Sequence, residues 1–161
     1  MQRTVESGLA KSEWPTEQSA IHLGNGRILA IARCERGGRC QFQLTSVDNG
    51  VTWKRELTNI RDVRESTPSL IYDAKTRTVF NYYYQRGARK LKCRRVNVDQ
   101  AFGDPMTWPE PTVLAEGNEA RDYDAGNVNA TASGDRHFLA LYTGSTTDTT
   151  VFVVTSPVRQ P

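Results

Sequence analysis

Apolar residues in this chain come in short runs, alternating or nearly continuous, with Gly, Asn, Asp and Pro between them. Ser19–Leu23 leads through Gly24-Asn25-Gly26 into Arg27–Arg33. Asn-Gly is the strongest short hairpin signal, because both central residues of a type I′ turn require positive φ. Ser69–Asp73, Ala74–Arg77 and Thr78–Tyr84 make a second strand–turn–strand unit. Asn127–Thr131, a turn near Ser133-Gly134-Asp135, and Arg136–Tyr142 make a third. The units start at positions 19, 69 and 127, and each is followed by further strand-like sequence: Gln41–Thr45, Leu91–Val98 and Thr149–Thr155. No segment carries a helical period. The pattern predicts an all-β chain.

A repeat of roughly 50 residues with four strands suits a propeller blade. The expected organisation is about three antiparallel four-stranded blades, near residues 14–60, 61–115 and 116–158. Three blades do not close a ring, because each buries its face against the next. The expectation is therefore half of a six-bladed ring, completed either by blades upstream or by a second copy related by two-fold symmetry.

After the third strand of the first unit stands Ser46-Val47-Asp48-Asn49-Gly50-Val51-Thr52-Trp53, an Asp-box. Its residue types serve local needs. Asp48 can accept backbone N–H bonds across its turn, Gly50 supplies a backbone conformation other residues avoid, and Trp53 offers a flat apolar surface. A second, degraded box ends at Trp108. These motifs speak to fold and not to chemistry.

Composition narrows the classes. The chain has 161 residues and a formal charge of +3. No run approaches the ~20 apolar residues of a membrane helix, and Met1–Lys11 has no apolar stretch of signal-peptide type. Arg86, Arg89, Lys90, Lys92, Arg94 and Arg95 fall within ten residues that include no acid. Such a run is either a patch for an anionic partner or a solvated basic hairpin. Of the three cysteines, Cys34 and Cys40 flank a hairpin tip and could bridge across strands, leaving Cys93 single. No His or Cys cluster has metal-ligand spacing, so no metal and no cofactor is expected; His22 and His137 read as ordinary, equivalent sheet positions. No RNP-like or finger spacing supports nucleic-acid binding.

Glu17–Arg33 followed by Gln41–Trp53 resembles the sialidase pattern: an acid, a strand, an Asn-Gly turn, a strand ending in arginine, then an Asp-box. The resemblance implies that Glu17 is catalytic and that Arg33 grips a sugar carboxylate. It places a second carboxylate-binding arginine at Arg86, with Arg89 in reserve, and lets one of Tyr82, Tyr83 and Tyr84 stack on a sugar. Independently, Leu29, Ile31 and Arg33 share one strand face by period-2 alternation. An arginine there needs a partner, which is a substrate carboxylate, Glu17 or Glu35. Two features depart from the exo-acting sialidases. Their tyrosine nucleophile is missing at Asp124–Val128, with Tyr123 the nearest substitute, and their remaining site residues would lie upstream of Met1. The set Glu17, Arg33 and Arg86 is similar to the simplified site of phage tailspike endosialidases. That likeness implies an endo-acting glycoside hydrolase whose partner is polysialic acid or another acidic glycan, extracellular or on a virion tail. The alternative is an inactive Asp-box propeller that binds glycan or serves as a scaffold.

Overall fold

The computed structural model of this chain describes residues 15–34, 40–63, 66–116, 127–144 and 149–158. Among them the chain is all-β, with one short helix and three antiparallel sheets. The first sheet holds β1 (Pro15–Gly24), β2 (Arg27–Cys34), β3 (Phe42–Ser46) and β4 (Lys54–Leu57), paired in that order. The second holds β5 (Ser69–Asp73), β6 (Thr78–Gln85), β7 (Lys90–Asn97) and β8 (Thr112–Glu116). The third has β9 (Asn129–Ser133), β10 (Arg136–Gly144) and β11 (Thr149–Pro157), in the order β11-β10-β9. No helix among these residues is long and apolar enough to cross a membrane.

The leading strands lie side by side: β1 contacts β5, and β5 contacts β9. One hydrogen bond recurs at both junctions. Leu70 N donates to Ser19 Oγ at 2.9 Å, and Ala130 N donates to Ser69 Oγ at 2.9 Å. Ser19 and Ser69 are therefore equivalent positions. Since Ser19 pairs with Ile31 and Ser69 with Tyr82, Ile31 corresponds to Tyr82.

Period-2 alternation assigns β6 to two cores. Val79 and Tyr83 pack with Leu29, Ile31, Leu70 and Trp108 between the first and second sheets. Phe80, Tyr82 and Tyr84 pack with Leu91, Leu139 and Leu141 between the second and third. A strand buried on both faces has no polar side to show, so β6 reads in sequence as a nearly unbroken apolar run. Its tyrosines are buried and present no ring for a sugar to stack on, contrary to the sequence expectation. Polar groups at the first junction are matched in part: Asn81 Nδ2 donates to Gln41 Oε1 at 2.7 Å and Trp108 Nε1 to Gln43 Oε1 at 3.1 Å, while Gln41 Nε2 and Asn81 Oδ1 are buried without a hydrogen bond.

The Asp-box folds as its chemistry requires. Asp48 Oδ1 accepts from Thr52 N at 2.8 Å and Oδ2 from Thr52 Oγ1 at 2.6 Å, while Ser46 Oγ accepts from Gly50 N at 2.9 Å. Hydrogen bonds from Thr52 hold the Asp48 carboxyl down at a pKa of about 2. The box also buttresses the β1–β2 turn, where Asn49 N donates to Gly26 O at 2.9 Å. Gly26 has φ +75°, and a Cβ there would meet Val47 O at 2.8 Å, so both backbone and space demand glycine.

Four sequence expectations are corrected. The segment after β7 is a helix, α1 (Val98–Gly103), whose N-cap Asn97 accepts from Asp99 N. Trp108 does not repeat Trp53: Trp53 closes its own turn by donating to Gly50 O at 3.0 Å, whereas Trp108 is core between two sheets. His22 is exposed in a first strand and His137 buried in a second, so the two histidines are not equivalent. The third sheet has three strands rather than four among the described residues. All three cysteines are free, Cys34 and Cys93 buried and Cys40 half-buried.

Candidate functional site

One end of the sheets, here the rim, carries the start of β1 and end of β2, the start of β5 and end of β6, and the start of β9 and end of β10. The Asp-box lies at the other end. Glu17 is the third residue of β1, and its position is irregular. Thr16 pairs with Arg33 and Gln18 with Ala32, so Glu17 is an extra, bulged residue. Its φ is 45°, in the left-handed region that costs a side chain with Cβ about 1–2 kcal/mol. A bulge bends the strand and re-aims the side chain it carries. Here the carboxylate turns back onto Arg33, and Arg33 Nη1 donates to Glu17 Oε2.

Arg33 sits on the Leu29–Ile31 face that packs against the second sheet, with 14% of its side chain exposed, while Glu17 is 43% exposed. The guanidinium is thus more desolvated than the carboxylate. A partly buried guanidinium attracts a second carboxylate more strongly than one in open water. The pair's position at the rim leaves the carboxylate accessible to a ligand from solvent.

Arg86 and Arg89 stand at the same end of the neighbouring sheet, in the β6–β7 turn, both half-buried. Arg89 has φ 55° and Gly87 φ 83°. The sequence expectation that Arg86 matches Arg33 is corrected by the register: from the Ile31–Tyr82 equivalence, Tyr84 matches Arg33 and Arg86 lies two residues beyond it. The structure thus joins Glu17 to Arg33 and sets Arg86 and Arg89 in an outer turn of the next sheet. Tyr123 lies outside the described residues.

The basic run is not one patch. Strand alternation splits it, and the structure spends part of it internally. Asp62, between the first and second sheets in sequence, accepts from Lys92 Nζ at 2.6 Å, Arg94 Nη2 at 2.8 Å and Tyr83 Oη at 3.0 Å. Tyr83 Oη in turn accepts from Arg94 Nε at 2.8 Å, and Arg94 also donates to Pro109 O. Arg94 is 4% exposed and Asp62 23%. Burial pushes the Asp62 carboxyl up, but the Lys92 and Arg94 hydrogen bonds and charges outweigh it and hold its pKa below the usual carboxylate value. Lys90 pairs with Glu116 at 3.1 Å. No sequence signal singled out Asp62, because its partners lie some 30 residues away.

At the opposite end a cleft of about 730 Å³ opens between the β5–β6 and β9–β10 turns, lined by Tyr72, Asp73, Lys75, Asp135 and His137 among others. His137 Nδ1 bonds the Tyr82 hydroxyl at 2.5 Å, and burial lowers the His137 pKa. None of the site residues expected from sequence (Glu17, Arg33, Arg86, Arg89) lines it. Among the described residues no group of His, Cys, Asp or Glu is arranged to hold a metal ion. No protein-family model matches the chain, and no curated protein matches it.

Proposed function

We propose that the rim is a glycoside hydrolase site of sialidase type, acting within acidic glycans such as polysialic acid, and that the three sheets are blades of a β-propeller. The side-by-side leading strands and the recurrent serine bond at each junction support the blade reading. The observation that carries the chemistry is Glu17: a charged residue in a strained, bulged conformation, aimed at a partly buried arginine. Local strain at a residue with no local need for it is a mark of functional positioning.

In this reading a sugar carboxylate docks on the Arg33 guanidinium, whose planar fork donates to it bidentately, and displaces Glu17. Glu17, freed from its ion pair, then acts as general base or stabilises the positive charge that develops at the anomeric carbon. Arg86, with Arg89 behind it, takes the carboxylate of a neighbouring sugar along the polymer. The test is Glu17→Gln assayed on polysialic acid for new reducing ends, with binding measured in parallel. Turnover should fall by about 10²-fold or more with binding kept; unchanged turnover removes Glu17 from the mechanism.

A second reading is a binding propeller without catalysis. The specific observation in its favour is that Glu17 and Arg33 already satisfy each other. Glycan binding by the wild type with no product released selects this reading.

A further inference from the structure

Two of the three cysteines converge at the rim end of the first sheet. β2 pairs with β3 from Ile28↔Ser46 to Ala32↔Phe42 without a bulge. Two further steps along that register set Arg33 opposite Gln41 and Cys34 opposite Cys40. Both strands are held beyond the last ladder pair. β1 keeps β2 extended to its end, with Thr16 paired to Arg33 and Pro15 to Cys34. On the other side, Gln41 N donates to Ile60 O and Thr58 N donates to Gln41 O, each at 3.1 Å. Cys34 therefore ends a strand fixed by β1, and Cys40 is one residue from a backbone position fixed by the segment after β4.

The packing agrees with the register. Cys34 shares a small cluster with Ala32 and Phe42, and Leu44 packs against it. Alternation puts Cys40 on the face of Phe42 and Leu44, which is the face that Cys34 shares. Opposite residues of an antiparallel pair have Cα atoms about 4.5–5.5 Å apart, inside the span of about 4.4–6.8 Å that a disulfide bridges. The two thiols differ in access: Cys34 is 3% exposed and Cys40 is half-buried. Cys93 is buried in a different core, between the second and third sheets.

We propose that Cys34 and Cys40 form a redox-active pair that closes to a disulfide by exchange with a small-molecule disulfide. The Cys40 thiolate attacks one sulfur of that molecule, forming a mixed disulfide and releasing one small thiolate. The Cys34 thiolate then attacks the Cys40 sulfur and releases the second. Two protein thiols are oxidised, one small disulfide is reduced, and the protons that the cysteines give up are taken by the two leaving thiolates. The new bond ties the end of β2 to the chain entering β3, one residue from Arg33. It locks the strand end that carries Arg33, whatever that arginine binds.

The experiment treats the native full chain with oxidised glutathione at mildly alkaline pH, because burial raises the Cys40 thiol and the thiolate is the attacking form. The chain should lose two hydrogens in mass. Peptide mapping without reductant should find Cys34 joined to Cys40 and Cys93 still a thiol, and dithiothreitol should reverse the change. Cys34→Ser should instead retain glutathione on Cys40, since no thiol remains to resolve it. A wild type that keeps glutathione on Cys40 overturns the proposal, because Cys34 is then out of reach. Cysteines that both stay reduced overturn it too, as does a bond from Cys40 to a second chain. The wild-type map decides the matter alone if the variant misfolds.

Discussion

Two acid–arginine constellations in this molecule use the same side chains to different ends. At the rim, Glu17 meets Arg33 with the carboxylate half in water and its backbone strained. Between the first and second sheets, Asp62 is the shared acceptor for Lys92, Arg94 and Tyr83, with Arg94 almost wholly enclosed. In the second case each buried donor has an acceptor, and removing the acid would strand two cations. In the first, solvent reaches the Glu17 carboxylate, so less stability rests on the pair. The comparison teaches where a charge is free to do chemistry: where its loss costs the fold little.

The largest expected effect breaks the Asp62 cluster. Asp62→Ala should destabilise the chain by about 2–4 kcal/mol in urea denaturation, because Lys92 and Arg94 are left buried without their counter-charge. A loss below about 1 kcal/mol would mean that water reaches the cluster and would erase the contrast with the rim.

Next comes its pH dependence. Asp62 has a folded pKa held below its unfolded value, so its contribution is fully present above about pH 4 and fades as pH falls through the folded value. The stability difference between wild type and Asp62→Asn, followed by urea midpoints from pH 6 downward, should shrink in that acid range. A difference that grows on acidification contradicts the assigned direction.

A smaller effect is expected at the rim. Glu17→Gly relieves a left-handed backbone conformation while it removes a half-exposed ion pair, so the net change in stability should stay within about 1 kcal/mol. Glycan turnover should collapse in the same variant. If Glu17→Gly instead unfolds the chain, the pair is structural and the contrast reverses. Smallest is Thr52→Val, which removes the hydroxyl bond to Asp48; the Asp48 pKa, read by NMR, should climb from about 2 toward the ordinary value, with Glu17 chemistry unaffected.

How much of this was legible depends on the range of the interaction. The hairpins of all three sheets follow from alternation and turn residues, both local signals, and β5 spans the same residues that the alternation marks. The helix α1 escaped because six residues make less than two turns, too few for a period to show. The level of Arg86 relative to Arg33 escaped for a different reason: alternation reports which face a residue is on, and a slip of two positions leaves the face unchanged. Only the serine bonds between sheets reveal the slip. The pairing of Glu17 with Arg33 was one of the readings open from sequence, but the bulge that produces it was not visible.

The amino-acid sequence by itself determined the strands, their turns, the Asp-box and the face on which Arg33 lies, because each rests on neighbours a few residues apart. Tertiary structure decided which cations are consumed by Asp62 and that the β6 tyrosines are enclosed. Those outcomes depend on how whole sheets stack, and the stacking brings together groups tens of residues apart whose burial sets whether a charge is paired, solvated or available.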